Sequence, residues 1–156
     1  MKNWTELENS SFFDANARER ALGMVDTGTF PDLLHPPDRH CSPHLPVLGT
    51  AVEFDDGTVC GVGLLGKHPV FVVSMEGKFI GGAIGEVNGG KMVATIRLAL
   101  KAAADIKTKY PEEYAARRPL VAVSFETGGV RLHEANAGLL AHGEVMDAFQ
   151  DCRGIV

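Results

Sequence analysis

The sequence is poor in the features that staple, anchor or charge a small protein. It holds three cysteines, Cys41, Cys60 and Cys152, far apart and with no C-x-x-C pair. That supports neither a zinc ribbon nor a disulfide framework, and it suits a reducing compartment. Basic residues are scarce: 15 Lys and Arg against 20 Asp and Glu give a net charge of −5. They are spread thinly, which excludes the basic face a nucleic-acid binder needs. The acidic excess favours solubility and names no partner. No apolar run reaches the ~18 residues that span a bilayer. The opening Met1-Lys-Asn-Trp-Thr-Glu-Leu-Glu lacks the apolar core of a signal peptide. The expectation is a cytoplasmic protein with neither membrane nor nucleic acid as partner. Asn3-Trp-Thr and Asn9-Ser-Ser match the glycosylation pattern, which carries nothing without secretion. There is no internal repeat and no low-complexity tract.

What is present is the composition of one ordinary globular domain, 45% apolar and 22% charged over 156 residues. A chain of this length buries about 68–70% of its unfolded surface and needs no staples. Glycine stands out, with 18 residues against a usual share of about 7%. Asp14 is placed to cap a helix over Ala15–Val25, ended by Asp26-Thr-Gly28-Thr-Phe30-Pro31. Residues 35–46, with four prolines and three histidines, read as an irregular connector. Three strand-like runs follow, Val47–Phe54, Thr58–Leu65 and Pro69–Ser74, with turns that suit a β-meander. A glycine-dense stretch over 76–90 leads into a helix expected at Lys91–Lys107, with Met92, Ile96, Leu100 and Ala103 on one face. Leu120–Phe125 reads as a buried strand, then Glu126-Thr-Gly128-Gly129 and a second long helix over Val130–Asp151. Gly154–Val156 resembles the start of a further strand, so the chain reads as a fragment or half of a split domain.

Several motifs fail on context. Gly61-Val-Gly63-Leu-Leu-Gly66 satisfies G-x-G-x-x-G, but a strand follows it where a dinucleotide site needs a helix, so tight-hairpin glycines are the better reading. Gly85-Glu-Val-Asn-Gly89-Gly90-Lys91-Met92 approaches the phosphate loop, but Met92 stands where a magnesium-binding hydroxyl belongs. His35, His40, His44 and His68 fall in turns, and His133-Glu134 has no second histidine one turn on, so no metal site is expected. Ser124 lacks a nucleophile-elbow pattern. One design recurs: strand, paired glycines, helix, at Phe71–Lys91 and again at Leu120–Glu134. Paired glycines at such corners turn the backbone sharply and bare its N–H groups, and the helix behind adds partial positive charge. The chemistry that fits is an anion or a developing oxyanion. The competing reading, glycine used only for a tight β–α turn, stays open.

These residues resemble the carboxyltransferase β-type subunits of the crotonase superfamily. That family carries E-x-x-F-M-G-G-S-M-G-x-V-x-G-x-K, here Glu76-Gly-Lys-Phe79-Ile-Gly81-Gly82-Ala-Ile-Gly85-Glu-Val87-Asn-Gly89-Gly-Lys91. It also carries S-G-G-A-R-x-Q-E-A, here Thr127-Gly128-Gly129-Val-Arg131-Leu-His-Glu134-Ala135. Upstream, Arg18-Glu-Arg20 and Asp26-Thr-Gly28-Thr-Phe30 resemble its R-x-R and D-x-G-S/T-F segments. The stretch Ser11-Phe-Phe-Asp14-Ala-Asn-Ala-Arg18, Ser42-Pro-His-Leu-Pro46 and the run through Ala135-Asn-Ala-Gly138 are similar to malonate decarboxylase β subunits in particular. Bacterial acetyl-CoA carboxylase β subunits carry a four-cysteine zinc ribbon that this sequence lacks.

The resemblance implies an α/β fold, a crotonase-like superhelix of ββα units, in a single domain over 1–156 whose residues 1–46 form an N-terminal helix and connector. It implies the N-terminal part of the family domain, cut short at the C-terminus, with a second oxyanion corner beyond Val156. The implied reaction is decarboxylation of a malonyl thioester through an enolate held in a backbone oxyanion hole. The N–H groups of Gly128 and Gly129 take that catalytic role, helped by the dipole of a helix starting at Val130. Gly81, Gly82 and Gly85 let the thioester arm approach, and Arg131 steadies the corner or meets the substrate carboxylate, with a structural pairing to Glu134 as the preferred reading. No cofactor or metal is expected on the chain, since the substrate arrives on the prosthetic arm of an acyl carrier protein or as acyl-CoA. The implied partners are a γ-type decarboxylase subunit, an acyl carrier protein subunit and its transferase subunit. The alternatives are a carboxyltransferase subunit of an acyl-CoA carboxylase and a non-catalytic fragment that binds partner subunits.

Overall fold

The computed structural model describes residue 12 and residues 14–34, 42–44 and 57–156. The strand expected at Val47–Phe54 lies outside them, as do His35, His40 and Cys41. Helix α1 spans Ala17–Gly23. It starts at Asn16 rather than at Asp14, because Asn16 and Glu19 satisfy each other's backbone N–H reciprocally, at 2.9 and 3.0 Å. Strands β1 (Thr58–Leu65) and β2 (His68–Met75) pair antiparallel from Thr58↔Met75 to Leu65↔His68. Gly66, at φ +61°, lies in the turn between them. Helix α2 runs Glu86–Lys109, followed by a short helix α3 (Tyr114–Arg117). Strand β3 (Leu120–Ser124) then pairs parallel to β2, giving the order β1-β2-β3. Helix α4 (Asn136–Cys152) closes the described fold.

The sheet is covered on both sides, and β2 at its centre shows why. Val73 and Met75 face a core built with Met92, Val93 and Ile96 of α2 and Val145, Ala148 and Cys152 of α4. Val70 and Val72 face the opposite way, onto Ala21 and Val25. A strand buried on both faces needs the near-continuous apolar run that Pro69–Met75, broken only by Ser74, supplies. The β1 glycines are contact surfaces. A Cβ on Gly63 would stand 2.6 Å from Val25, and one on Gly61 would strike the Phe30 ring. The G-x-G-x-x-G spacing is therefore hairpin packing, as its following strand implied.

Three further expectations are corrected. α2 begins five residues before Lys91, so Gly89 and Gly90 sit inside it. Ala141 of α4 presses against Gly89, and a Cβ there would stand 2.8 Å from the Ala141 methyl. Val130–Asp151 is not one helix: a 3-10 turn at Leu132–Glu134 and a break at Ala135 precede α4. The end at Gly154–Val156 is a turn, with the Ile155 and Val156 amides bonded to the Cys152 carbonyl at 3.1 and 3.2 Å.

Ala135 holds φ +49°, ψ −127°, is exposed, and accepts left-handed backbone without being glycine. A residue held in so sparsely populated a region costs about 1–3 kcal/mol. Ala135→Gly is expected to raise the melting temperature by about 2–4 °C, read by thermal unfolding.

Candidate functional site

The two glycine corners meet. The first leaves β2 through Phe79 and passes Ile80, Gly81 and Gly82, all with positive φ (+49°, +61° and +67°). The second leaves β3 through Glu126 and turns at Gly129, φ +108°. They lie side by side as a short parallel ladder. The Gly128 N–H donates to the Gly81 carbonyl at 2.9 Å, the Ile84 N–H to the Gly129 carbonyl at 2.7 Å, and the Arg131 N–H to the Ile84 carbonyl at 2.7 Å. This spacing leaves no room for side chains. A Cβ on Gly82 would fall within the Glu126 peptide group, 2.7 Å from its carbonyl carbon and closer to its oxygen.

The ladder bonds some of the backbone groups singled out in the sequence and leaves others without a partner among the described residues. The Gly128 amide is bonded to the Gly81 carbonyl. The Gly129 amide donates to the Thr127 hydroxyl at 3.0 Å, a surface side-chain partner. Among the described residues, the Gly81 and Val130 amides have no acceptor. Beside them, a Cβ on Gly81 or on Gly129 would meet nothing within 4 Å, so both corners open onto free space there. Gly82 and Gly85 are buried. Gly85 is required by the Glu134 carboxylate, whose carbon would stand 2.7 Å from an added Cβ. Of the three glycines assigned to the thioester arm, Gly81 alone is exposed. The helix dipole assigned to Val130 belongs to α4, which starts at Asn136.

Arg131 is not available to a substrate carboxylate. Its side chain is fully buried, as is that of Glu134, and the two pair at 2.9 Å. The second guanidinium nitrogen donates to the Ala83 carbonyl at 2.9 Å, and the guanidinium lies 5.4 Å from the Phe79 ring centre. The preferred Arg131–Glu134 pairing holds. Glu134 also accepts the first N–H of α2, from Glu86, at 2.5 Å. Asn88 completes this end, accepting from the Gly85 N–H at 2.6 Å and donating to the Ala83 carbonyl at 3.1 Å.

A second buried arginine went unread in the sequence. Arg20 of α1 donates to the carbonyls of Ala15 (2.5 Å) and Met75 (2.6 Å) and pairs with Glu126. It ties α1 to the end of β2 and the exit of β3. The R-x-R segment was the signal, since a short helix that must carry one buried cation needs a carboxylate and carbonyls from elsewhere. Lys91, the candidate phosphate-loop lysine, lies within α2 and gives its ammonium to the Thr58 carbonyl at 2.5 Å. His68 Nδ1 lies 2.9 Å from the Arg118 carbonyl oxygen, and His133 is exposed. Among the described residues no three His, Cys, Asp or Glu side chains converge as a metal site would require, and no helix is long and apolar enough to cross a membrane. Burial pushes the Cys152 thiol up, away from the thiolate a nucleophile needs.

No family model matches the chain. It is 59% identical over all 156 residues to the malonyl-S-ACP:biotin-protein carboxyltransferase MADC of Malonomonas rubra, covering 49% of that protein. It is 29% identical over 142 residues to the propionyl-CoA carboxylase β chain of Saccharopolyspora erythraea, 22% of that chain. Among solved structures, a Pseudomonas malonate decarboxylase hetero-tetramer in complex with malonate superimposes with TM-score 0.79 and 37% identity. That match covers 96% of this chain and 51% of the other. The transcarboxylase 12S core, at 24% identity, shares the fold with TM-score 0.71. The chain thus spans about half the length of the most similar of these relatives. The likeness read from the glycine motifs holds along the whole chain, which is similar to a malonyl-S-ACP:biotin-protein carboxyltransferase and to a malonate decarboxylase and shares its α/β fold with the latter and with the transcarboxylase 12S core.

Proposed function

We propose that this chain forms part of a subunit that breaks the carbon–carbon bond of a malonyl thioester carried on an acyl carrier protein, holding the resulting enolate by backbone amides. The observation that carries this is a pair of amides, Gly81 and Val130, that none of the described residues bonds, on two corners fixed to each other by backbone hydrogen bonds. As the carboxyl carbon leaves, its bonding electron pair passes to the thioester carbonyl, whose oxygen becomes negative. Amide donors suit that oxygen because they are fixed by the ladder, do not titrate, and need no reorganisation when the charge develops. One such donor is worth about 2.7–4 kcal/mol in the transition state. The enolate carbon then takes a proton and becomes an acetyl thioester. Gly129 contributes the turn and, when Thr127 rotates away, a third donor.

The carboxyl group has two destinations in the relatives. The 59% identity to a malonyl-S-ACP:biotin-protein carboxyltransferase favours its passage to a biotin-bearing protein. The 37% identity to a malonate decarboxylase supports its release as carbon dioxide. The implied partners are a γ-type subunit, the acyl carrier protein and its transferase. The reading is tested by reconstituting the intact complex with malonyl carrier protein labelled in the free carboxyl. Label in a biotin-bearing protein before any gas is the expected result. Direct gas release without biotin selects the simple decarboxylase, and acetyl thioester formed by neither route rejects both.

A further inference from the structure

We infer that Arg131 and Glu134 act as a positioning pair that sets the distance between the two amide-bearing corners; the inference rests on the enolate reading above. Neither side chain reaches solvent, so neither meets substrate. Between them they bind both corners. Arg131 springs from the second corner and reaches the first through the Ala83 carbonyl at 2.9 Å. Glu134 follows the second corner and grips the start of α2 through the Glu86 N–H, while holding Arg131 at 2.9 Å. The clamp thus spans from Ala83, two residues after Gly81, to Arg131, one residue after Val130. Gly85 and Gly138 keep it tight. The Glu134 carboxylate occupies the space a Gly85 side chain would need, and a Cβ on Gly138 would stand 2.8 Å from the Arg131 carbonyl.

The pattern is costly for stability alone. A buried ion pair is often replaced by apolar residues of similar size with no loss of stability. What apolar residues do not supply is fixed direction: a guanidinium and a carboxylate, each with several hydrogen bonds, hold their partners at set angles. Donors to a developing oxyanion need that precision, since a misplacement of about 1 Å costs about 10²-fold in rate.

The test uses the intact complex carrying Arg131→Met together with Glu134→Leu, which removes both charges at once. The expected result is a complex that assembles and melts within a few degrees of the parent, with kcat for the malonyl thioester lowered about 30-fold or more and KM unchanged within about twofold. Its crystal structure is expected to show the separation of the Gly81 and Val130 nitrogens altered by about 1 Å. A kcat within about threefold of the parent, a loss confined to KM, or an unaltered separation of those nitrogens overturns the inference. If the double variant does not assemble, Glu134→Gln, which keeps the size and one acceptor, is decided by the same readouts. A parent complex with no malonyl turnover rejects the enolate reading, and the nitrogen separation then decides the clamp by itself.

Discussion

Replacing the Val130 peptide amide by an ester, through the α-hydroxy analogue of valine, is expected to lower kcat about 10²–10³-fold with little change in KM. The substitution deletes one N–H and nothing from the side chain. Folding should tolerate it, because the described residues offer that N–H no acceptor, while the ladder bonds on either side use the Gly129 carbonyl and the Arg131 amide. The ester carbonyl at Gly129 accepts more weakly from Ile84, a loss of about 1 kcal/mol at most. The same change at Gly128 gives the opposite pattern. It removes the donor to the Gly81 carbonyl, so stability should fall by about 0.5–1.5 kcal/mol and kcat by far less than at Val130. Steady-state turnover of the malonyl carrier thioester, with thermal unfolding of each complex, separates the two. A Val130 ester within a few-fold of the parent removes this amide from the mechanism.

Gly82→Ala is expected to be the most destabilising single methyl among the described glycines. The residue holds φ +67°, which costs an alanine about 1–2 kcal/mol. Its Cβ would also overlap the Glu126 peptide, which is backbone and is held by the ladder, so the corners must separate. Overpacking of this kind adds about 1–3 kcal/mol or more. The combined loss should lower the melting temperature by about 8–15 °C. Gly81→Ala is the control. It has nearly the same φ, +61°, but open space around its Cβ, so it suffers the backbone strain alone. Equal melting temperatures for the two variants would show that the corners are not in the contact described.

The two chemistries of glycine explain much of what was and was not legible along the chain. Strand β2 was legible because a strand covered on both faces must be apolar throughout, and Pro69–Met75 is nearly so. β1 was legible by the same patterning, and its glycines were correctly read as packing once a strand followed them. The boundaries of α2 and α4 were not. Gly85, Gly89 and Gly90 look alike in sequence, yet the first ends a corner and the others lie in the helix. What moves the start of α2 to Glu86 is a carboxylate from Glu134, 48 residues away.

Local spacing along the chain was enough to establish an α/β protein with two glycine corners after two apolar strands, the pairing of Arg131 with Glu134, and the resemblance that these motifs carry, but β3 lies at the edge of the described sheet and is only half-buried where full burial was expected. Each of these depends on near neighbours: an apolar run along a strand, paired glycines at its end, two charges three residues apart. Which amides lack a partner among the described residues is a different matter, and it was decided by the packing of one corner on the other. Gly128 and Gly129 were singled out by their own conformational freedom, but an amide's availability depends on the carbonyl opposite it. Gly81, 47 residues upstream, takes the hydrogen of Gly128, and the parallel ladder turns the hydrogen of Val130 outward. Hydrogen-bond partners across a fold are set by where two distant segments cross, and no local pattern of residues encodes that crossing.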